Sequence, residues 1–249
     1  MARTANLVQL RPQTLHAFEA YTQQAEEEME RTLHQSRAFL WCAADSARAQ
    51  QVDHGHIVAD NWSGHVPVKV SYGLIHDWIG TAFIPRCKVA DAITLVQDYN
   101  NHKVIYQPEV MDSVLINRHG NDFTIYLRLL KTKVITVVLD TDHDVHYLSL
   151  DRRRWFCRSH TTRIAEVENA GGPQEVILPP DTGHGFLWRL YSYWRFQQNR
   201  GGVYIECRAI SLTRDVPFGL GWLIEPIIQN LPKESLINTL EATRRALQS

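Results

Sequence analysis

The chain of 249 residues reads as an α+β protein, and three observations carry that reading. Near the start, apolar residues recur every three or four positions. Through most of the middle they alternate every second position, with one helical stretch between. At the end the helical period returns.

From Pro12 onward, Leu15, Phe18, Thr22, Ala25, Met29 and Leu33 fall on one stripe, with Glu26, Glu27 and Glu28 mostly off it, and Thr14 stands where a cap belongs. Residues 42–51 are small and polar and read as a loop. Extended runs are expected at 52–60, 68–84, 110–118, 122–131, 133–141, 145–150, 152–167, 186–198 and 201–212. Asn-, Asp- and Gly-bearing turns separate them at 119–121, 142–144, 169–173 and 199–202. One helix, 89–99, interrupts the strands and puts Val89, Ala92, Ile93 and Val96 on a single face. A broken helical segment closes the chain. Its first part, 220–231, carries Pro226, and its second starts at Pro232 with Leu236, Leu240, Thr243 and Leu247 as its apolar stripe. Neither repeat nor linker appears, so a single compact unit is expected.

The last hairpin fixes its own register. With a turn at Asn199–Gly202, Arg195 faces Glu206 and Tyr193 faces Arg208 on one side. On the other side Phe196 meets Ile205, Trp194 meets Cys207 and Ser192 meets Ala209. That apolar side tapers from large to small residues, which leaves room for a close helix or for a ligand.

Composition excludes several classes. A hydrophobic fraction of 44% with a net charge of −1 describes a chain that folds. The apolar runs are far too short to span a bilayer. With 26 Lys+Arg against 27 Asp+Glu, the overall electrostatic footprint of a nucleic-acid binder is missing. Cys42, Cys87, Cys157 and Cys207 are scattered and read as buried free thiols. The first residues lack a long apolar leader core, which points to the cytoplasm and leaves export after removal of a leader open.

Chemistry-bearing clusters are sparse. His54 and His56 alternate as paired ligands do, and His76–Asp77 lies on another expected strand, but no spacing supplies a third ligand. Asp140, Asp142 and Asp144 alternate like a calcium loop, yet Val145 stands where that loop needs glycine, so an acidic hairpin turn is the expectation. No nucleophile elbow, phosphate-binding loop or dinucleotide fingerprint occurs. Cys157 and His160 fall on opposite faces of one strand. Gly183–His184–Gly185 reads as a turn, and Arg152–Arg153–Arg154 as a solvated strand end. Arginines interleave with aromatics from Trp188 to Arg195, where overall neutrality and strand alternation favour core on one side and a wet face on the other.

Several segments together resemble a known superfamily. They are Phe83-Ile84-Pro85 before the helix with Val89, Ile93 and Val96, then Asp98-Tyr99 and the Tyr106-x-Pro108-Glu109-Val110 turn. Further on come Gly202-Val203-Tyr204-Ile205-Glu206, Ser211, Pro217, Trp222-Leu223-Ile224, Pro226, and the helix with Ser235, Leu236 and Leu240. In this order they resemble the START-like (SRPBCC, helix-grip) superfamily, which includes lipid-transfer START domains, coenzyme-Q-binding proteins and polyketide cyclases. The resemblance implies a helix-grip fold over residues 71–249, a curved antiparallel sheet wrapped around the last helix, with residues 1–70 as a helical extension packed on it. It implies an interior for a lipid or other apolar small molecule; no cofactor or metal is expected, and the near-neutral charge points away from nucleic acid. Transient membrane contact and oligomeric state stay open. The candidate lining is Trp78, Tyr106, Arg128, Trp155, Trp188, Ser192, Trp194, Cys207, Trp222, Leu223, Leu236 and Leu240, with Ser192, Arg128 or His76 to orient a polar end and 217–226 as a hinge. The alternative is a cyclase or aromatase using the same interior, and a third reading is a protein-interaction module.

Overall fold

The computed structural model describes residues 7–34, 39–64, 67–132, 136–199, 201–215 and 221–249, with backbone alone at 221–229. In chain order the elements are β1 (Val8–Gln9), α1 (Pro12–Leu33), α2 (Ser46–Asp53), β2 (Val58–Asn61), β3 (Val68–Val70), β4 (Gly73–Pro85), α3 (Val89–Gln97) and α4 (His102–Ile105). They continue with β5 (Val110–His119), β6 (Asp122–Thr132), β7 (Thr136–Ser149), β8 (Arg154–Glu168), β9 (Val176–Ile177), β10 (Thr182–Gly183), β11 (Arg189–Asn199), β12 (Gly202–Arg214) and α5 (Gly221–Gln248).

The main sheet is antiparallel in the order β2-β4-β12-β11-β8-β7-β6-β5, with β3 beside β4 and β9 beside β8. A separate pair joins β1 to β10. The β11–β12 register is the expected one, Arg195 opposite Glu206 and Trp194 opposite Cys207. With α5 laid along one side of this sheet, the α+β helix-grip architecture is present. No described helix is long and apolar enough to cross a membrane.

Strand alternation divides the sheet into two faces with different covers. The inner face is apolar. Trp78, Ala82, Ile84, Phe196, Val203, Ile205, Cys207 and Cys157 pack with α3 through Val89, Ala92, Ile93 and Val96, and with α5 through Leu236 and Leu240. The outer face takes α1. Phe18, Ala25 and Met29 sit on Ile75, Tyr193, Ile210 and Leu212. The stripe read from the sequence is the buried side of α1, joined by Thr14, which donates to the Ser71 carbonyl at 2.6 Å. The helix cap itself is Arg11, with Pro12 at the first helical position.

Charged groups hold α1 and the chain after it on the sheet. Arg195 donates to the carbonyls of Met29 (3.3 Å) and Phe39 (2.6 Å) and to Thr32 Oγ1 (2.8 Å), which places a cation on the carbonyl end of α1. Glu206 accepts from the backbone N–H of Trp41 (3.0 Å) and Cys42 (3.3 Å) and from Thr81 Oγ1 (2.8 Å).

Several local expectations are corrected. Residues 46–53, expected as loop and strand, form α2, because Asp45 accepts the Arg48 N–H at 2.9 Å and starts a helix of Ala, Arg and Gln. The acidic turn at 142–144 does not exist, and β7 runs straight through it. Asp140, Asp142 and Asp144 point outward to Arg128, Arg163 and Thr124 on the neighbouring strands, while His143 and Val145 are buried, so packing overrides turn-forming composition. The chain also breaks at Ser71–Tyr72 to pair β3 with β4, Tyr72 taking a φ of 59°. Finally, α5 is one helix whose backbone passes through Pro226 and Pro232. Burial of Leu236 and Leu240 outweighs the missing backbone donors.

Candidate functional site

The inner face is built by alternate residues of four neighbouring strands. β4 contributes His76, Trp78, Gly80, Ala82 and Ile84, and β12 contributes Val203, Ile205, Cys207, Ala209 and Ser211. β11 adds Ser192, Trp194 and Phe196, and β8 adds Trp155, Cys157 and Ser159. Gly80 lets α5 approach, since a Cβ there would lie 2.9 Å from Leu240 Cδ1 and 3.3 Å from Leu236 Cδ2. Trp194 stands in register between Cys207 on one side and Cys157 on the other, and its Nε1 donates to Ser192 Oγ at 3.3 Å.

Exposure is uneven across the sheet. On the outer side of β11 and β12, Tyr193, Arg195, Glu206, Arg208, Ile210 and Leu212 are all buried. On the inner side Trp155, Ser192, Trp194 and Ala209, in the middle of the sheet, remain half-buried. Around Trp194 and Ala209 the side facing α5 is the less tightly sealed of the two.

Electrostatically the central part of this face is neutral. Among its described positions on β4, β12, β11 and residues 155–161 of β8 there is no Asp, Glu, Lys or Arg. Asp77, Arg195, Glu206 and Arg208 all point to the α1 side. Burial alone lowers His76 to about 4, and His143, further along the same face on β7, is also lowered to about 4, chiefly by burial. Burial pushes the Cys157 thiol and the Tyr106 phenol up to about 12. Each of these groups is therefore uncharged at neutral pH.

The structure gathers most of the expected residues here. Trp78, Trp155, Ser192, Trp194, Cys207, Leu236 and Leu240 share the inner side. Tyr106 closes it near α5, its hydroxyl 3.2 Å from Thr243 Oγ1. His76 is also inward and fully buried. Two residues are placed elsewhere. Arg128 lies on the outer face, bound to Asp140 at 2.7 and 3.0 Å and to Glu175 at 3.1 Å, because β6 alternation sends it away from the interior. Trp188 packs under α1 with Leu10, Phe18 and Tyr193. Trp222 and Leu223 belong to α5, with side chains outside the described residues, and the expected hinge at 217–226 lies outside them up to residue 220.

Sequence reading missed His143, whose ring lies 2.9 Å from Thr141 Oγ1 and 3.4 Å from Ser159 Oγ. Alternation would have found it had the strand not been broken at 142–144. It also missed the buried Tyr99–Tyr147 hydroxyl pair at 2.8 Å. His54 ends α2 and is exposed, and no group of three metal-ligating side chains occurs among the described residues. The Gly183–Gly185 turn wraps Glu166, whose carboxylate accepts the N–H groups of His184 (2.7 Å), Gly185 (2.9 Å) and Phe186 (3.2 Å).

A surface cleft of about 660 Å³ opens between α3 and the β7–β8 turn, lined by Val89, Ile93, Thr94, Ser149, Arg152 and Trp155. Ile93 and Trp155 belong both to this cleft and to the inner cluster, so they stand between the surface and the interior. A second cleft, of about 600 Å³, lies against the N-terminal segment and includes Leu10, Tyr72 and Trp188.

Known structures share features with this one. The chain is similar to a STAR-related lipid transfer protein from Xanthomonas axonopodis, at 16% identity over 76% of this chain and 100% of that one, with a TM-score of 0.47. It is also similar to the Zhui aromatase/cyclase from Streptomyces sp. R1128, at 10% identity over 70% of this chain and 94% of that one, TM-score 0.46. A third is a START superfamily protein from Mycobacterium smegmatis, at 10% identity over 78% and 98%, TM-score 0.43. The first and third of these are named as a STAR-related lipid transfer protein and a START superfamily protein. No protein-family model and no curated protein matches the chain.

Proposed function

We propose that this protein binds an apolar small molecule, such as a lipid, between the inner face of the sheet and α5. The observation that carries the reading is the contrast between the faces of the central strands. Trp155, Ser192, Trp194 and Ala209 stay half-buried on the α5 side, while Tyr193, Arg195, Arg208 and Ile210, the outward residues beside Trp194 and Ala209, are buried. Covering these side chains with a ligand releases water from apolar surface at roughly 25 cal/mol per Å², before the cost of association. On this reading the cleft beside α3, whose lining includes Trp155 and Ile93, is the path from solvent.

Extraction of the purified protein followed by mass spectrometry of small molecules tests the proposal. Apolar compounds are expected to copurify, and adding them back is expected to shift the emission of Trp155 and Trp194. A protein that carries none, and whose tryptophan emission ignores a broad lipid panel, overturns it.

The second reading, a cyclase-like reaction on the bound molecule, draws on the inward His76 and His143. Both are lowered to about 4, so near neutral pH they are already deprotonated and weakly basic, far from the range in which a general acid or base works best. Carriage without turnover is the reading these groups favour.

A further inference from the structure

Two neighbouring inward side chains on β4 have polar atoms that no described residue satisfies. His76 is 0% exposed and Trp78 8% exposed. His76 Nδ1 and Trp78 Nε1 are both buried without a hydrogen-bond partner among the described residues. A buried polar atom left without a partner costs about 1–3 kcal/mol. Two of them, two residues apart on one strand face, mark a place that a ligand completes.

Their chemistry differs in a useful way. Thr213 Oγ1 donates to the Arg214 carbonyl at 3.3 Å, which leaves it to accept from His76 Nε2–H at 3.1 Å. This pairing assigns the proton to Nε2 and leaves Nδ1 a bare lone pair. Trp78 Nε1–H is a donor only. The strand therefore offers one acceptor and one donor two residues apart on one face, and a hydroxyl is the uncharged group that both donates and accepts. Ser211, paired with His76 across β4–β12, adds a further hydroxyl beside them.

Charge around the pair points the same way. No ionisable side chain other than histidine or cysteine shares the described inner positions of β4, β12 and β11. Lys233 of α5 is the exception, a cation over the face of the Trp78 ring, 5.4 Å from its centre. Lys131 is held by Glu109 and by Ser235, and Glu166 is enclosed by the 184–186 backbone. A phosphate or carboxylate placed at the pair would meet a bare lone pair and lose its hydration.

Resting on the ligand-binding reading above, we propose that the molecule bound has an apolar body and an uncharged hydroxyl end, which His76 Nδ1 and Trp78 Nε1–H hold together. Charged-headgroup lipids are disfavoured at this position.

A matched set of twelve-carbon probes, titrated against the full chain by calorimetry and tryptophan emission, tests this: dodecane, 1-dodecanol, dodecanoate and dodecyl phosphate. 1-Dodecanol is expected to bind about ten-fold more tightly than dodecane, the worth of one to two neutral hydrogen bonds, with both anions weaker than the alcohol. Trp78→Phe and His76→Leu are each expected to reduce the alcohol-to-dodecane affinity ratio several-fold. Should His76→Leu fail to fold, Trp78→Phe and the probe ranking on the unaltered protein still decide. An alcohol that binds no better than dodecane, or an anion that binds more tightly than the alcohol, overturns the hydroxyl assignment alone. Failure of all four probes to bind overturns the ligand-binding reading beneath it.

Discussion

Asp77 and Arg208 form a bidentate ion pair inside the protein, with Nε 2.9 Å and one terminal nitrogen 2.6 Å from the two carboxylate oxygens. Their side chains are 0% and 4% exposed. Tyr21 of α1 donates to the same carboxylate at 2.8 Å, and the Trp62 ring lies 4.2 Å from the guanidinium. The pair thus sits under α1, with every oxygen of Asp77 in use.

Removing one partner strands the other. Asp77→Ala is expected to cost about 3–5 kcal/mol, read as a lower urea midpoint, because Arg208 is left charged and dry. Adding Arg208→Met in the same chain is expected to recover part of that loss. A single substitution that costs less than about 1 kcal/mol would show that α1 does not seal this site.

The same cover rests on Phe18, fully buried with its ring 5.1 Å from that of Tyr191. Phe18→Ala is expected to cost about 3–5 kcal/mol in the same assay, the loss of a large buried side chain plus the cavity it leaves. It is also expected to lower the unfolding midpoint of the whole chain in one transition. A separate early transition for α1 would mean that the helix is not part of the cooperative unit.

Acid acts through buried histidines. His76, His102 and His143 are each lowered from 6.5 to about 4 with burial the leading cause, opposed at His102 by the Val96 carbonyl and Asp98. Above about pH 6.5 both folded and unfolded chains hold them neutral. As pH falls from there toward 4, only the unfolded chain takes up their protons, so stability is lost across that window. With three protons the slope reaches about 4 kcal/mol per pH unit at most. In chemical unfolding at several pH values, His143→Gln is expected to flatten the slope by about 1.4 kcal/mol per unit, and an unchanged slope refutes the assignment.

What was legible in the sequence was what alternation and period control. Both sides of the β11–β12 hairpin follow from one turn, and with them the separation of Trp194 and Ser192 from Arg195 and Tyr193. The α1 stripe was equally plain, but its destination was not. Nothing local says that Arg195 and Glu206, neighbours across the hairpin, reach past each other to Met29, Phe39, Trp41 and Cys42. Arg128 was misplaced for a related reason. Its role follows from Asp140 opposite, and Asp140 was assigned next to a turn that β7 does not make. Strand partners decide which way a polar residue serves, and partners are a property of the sheet as a whole.

The closeness of α5 to the sheet is itself testable at Gly80. A methyl group there would stand 2.9 Å from Leu240 Cδ1 and 3.3 Å from Leu236 Cδ2, inside ordinary contact distance. Both atoms are ends of flexible side chains and can give way, so Gly80→Ala is expected to cost only about 1 kcal/mol. Leu240→Ala, emptying a fully buried position, is expected to cost about 2–5 kcal/mol. In the double variant the new methyl occupies part of the emptied space, so the two losses are expected to sum to at least 0.5 kcal/mol less than strict additivity, roughly the lower limit for residues in contact. Additive losses would mean that Leu240 does not rest over Gly80, and that α5 grips the sheet at some other point.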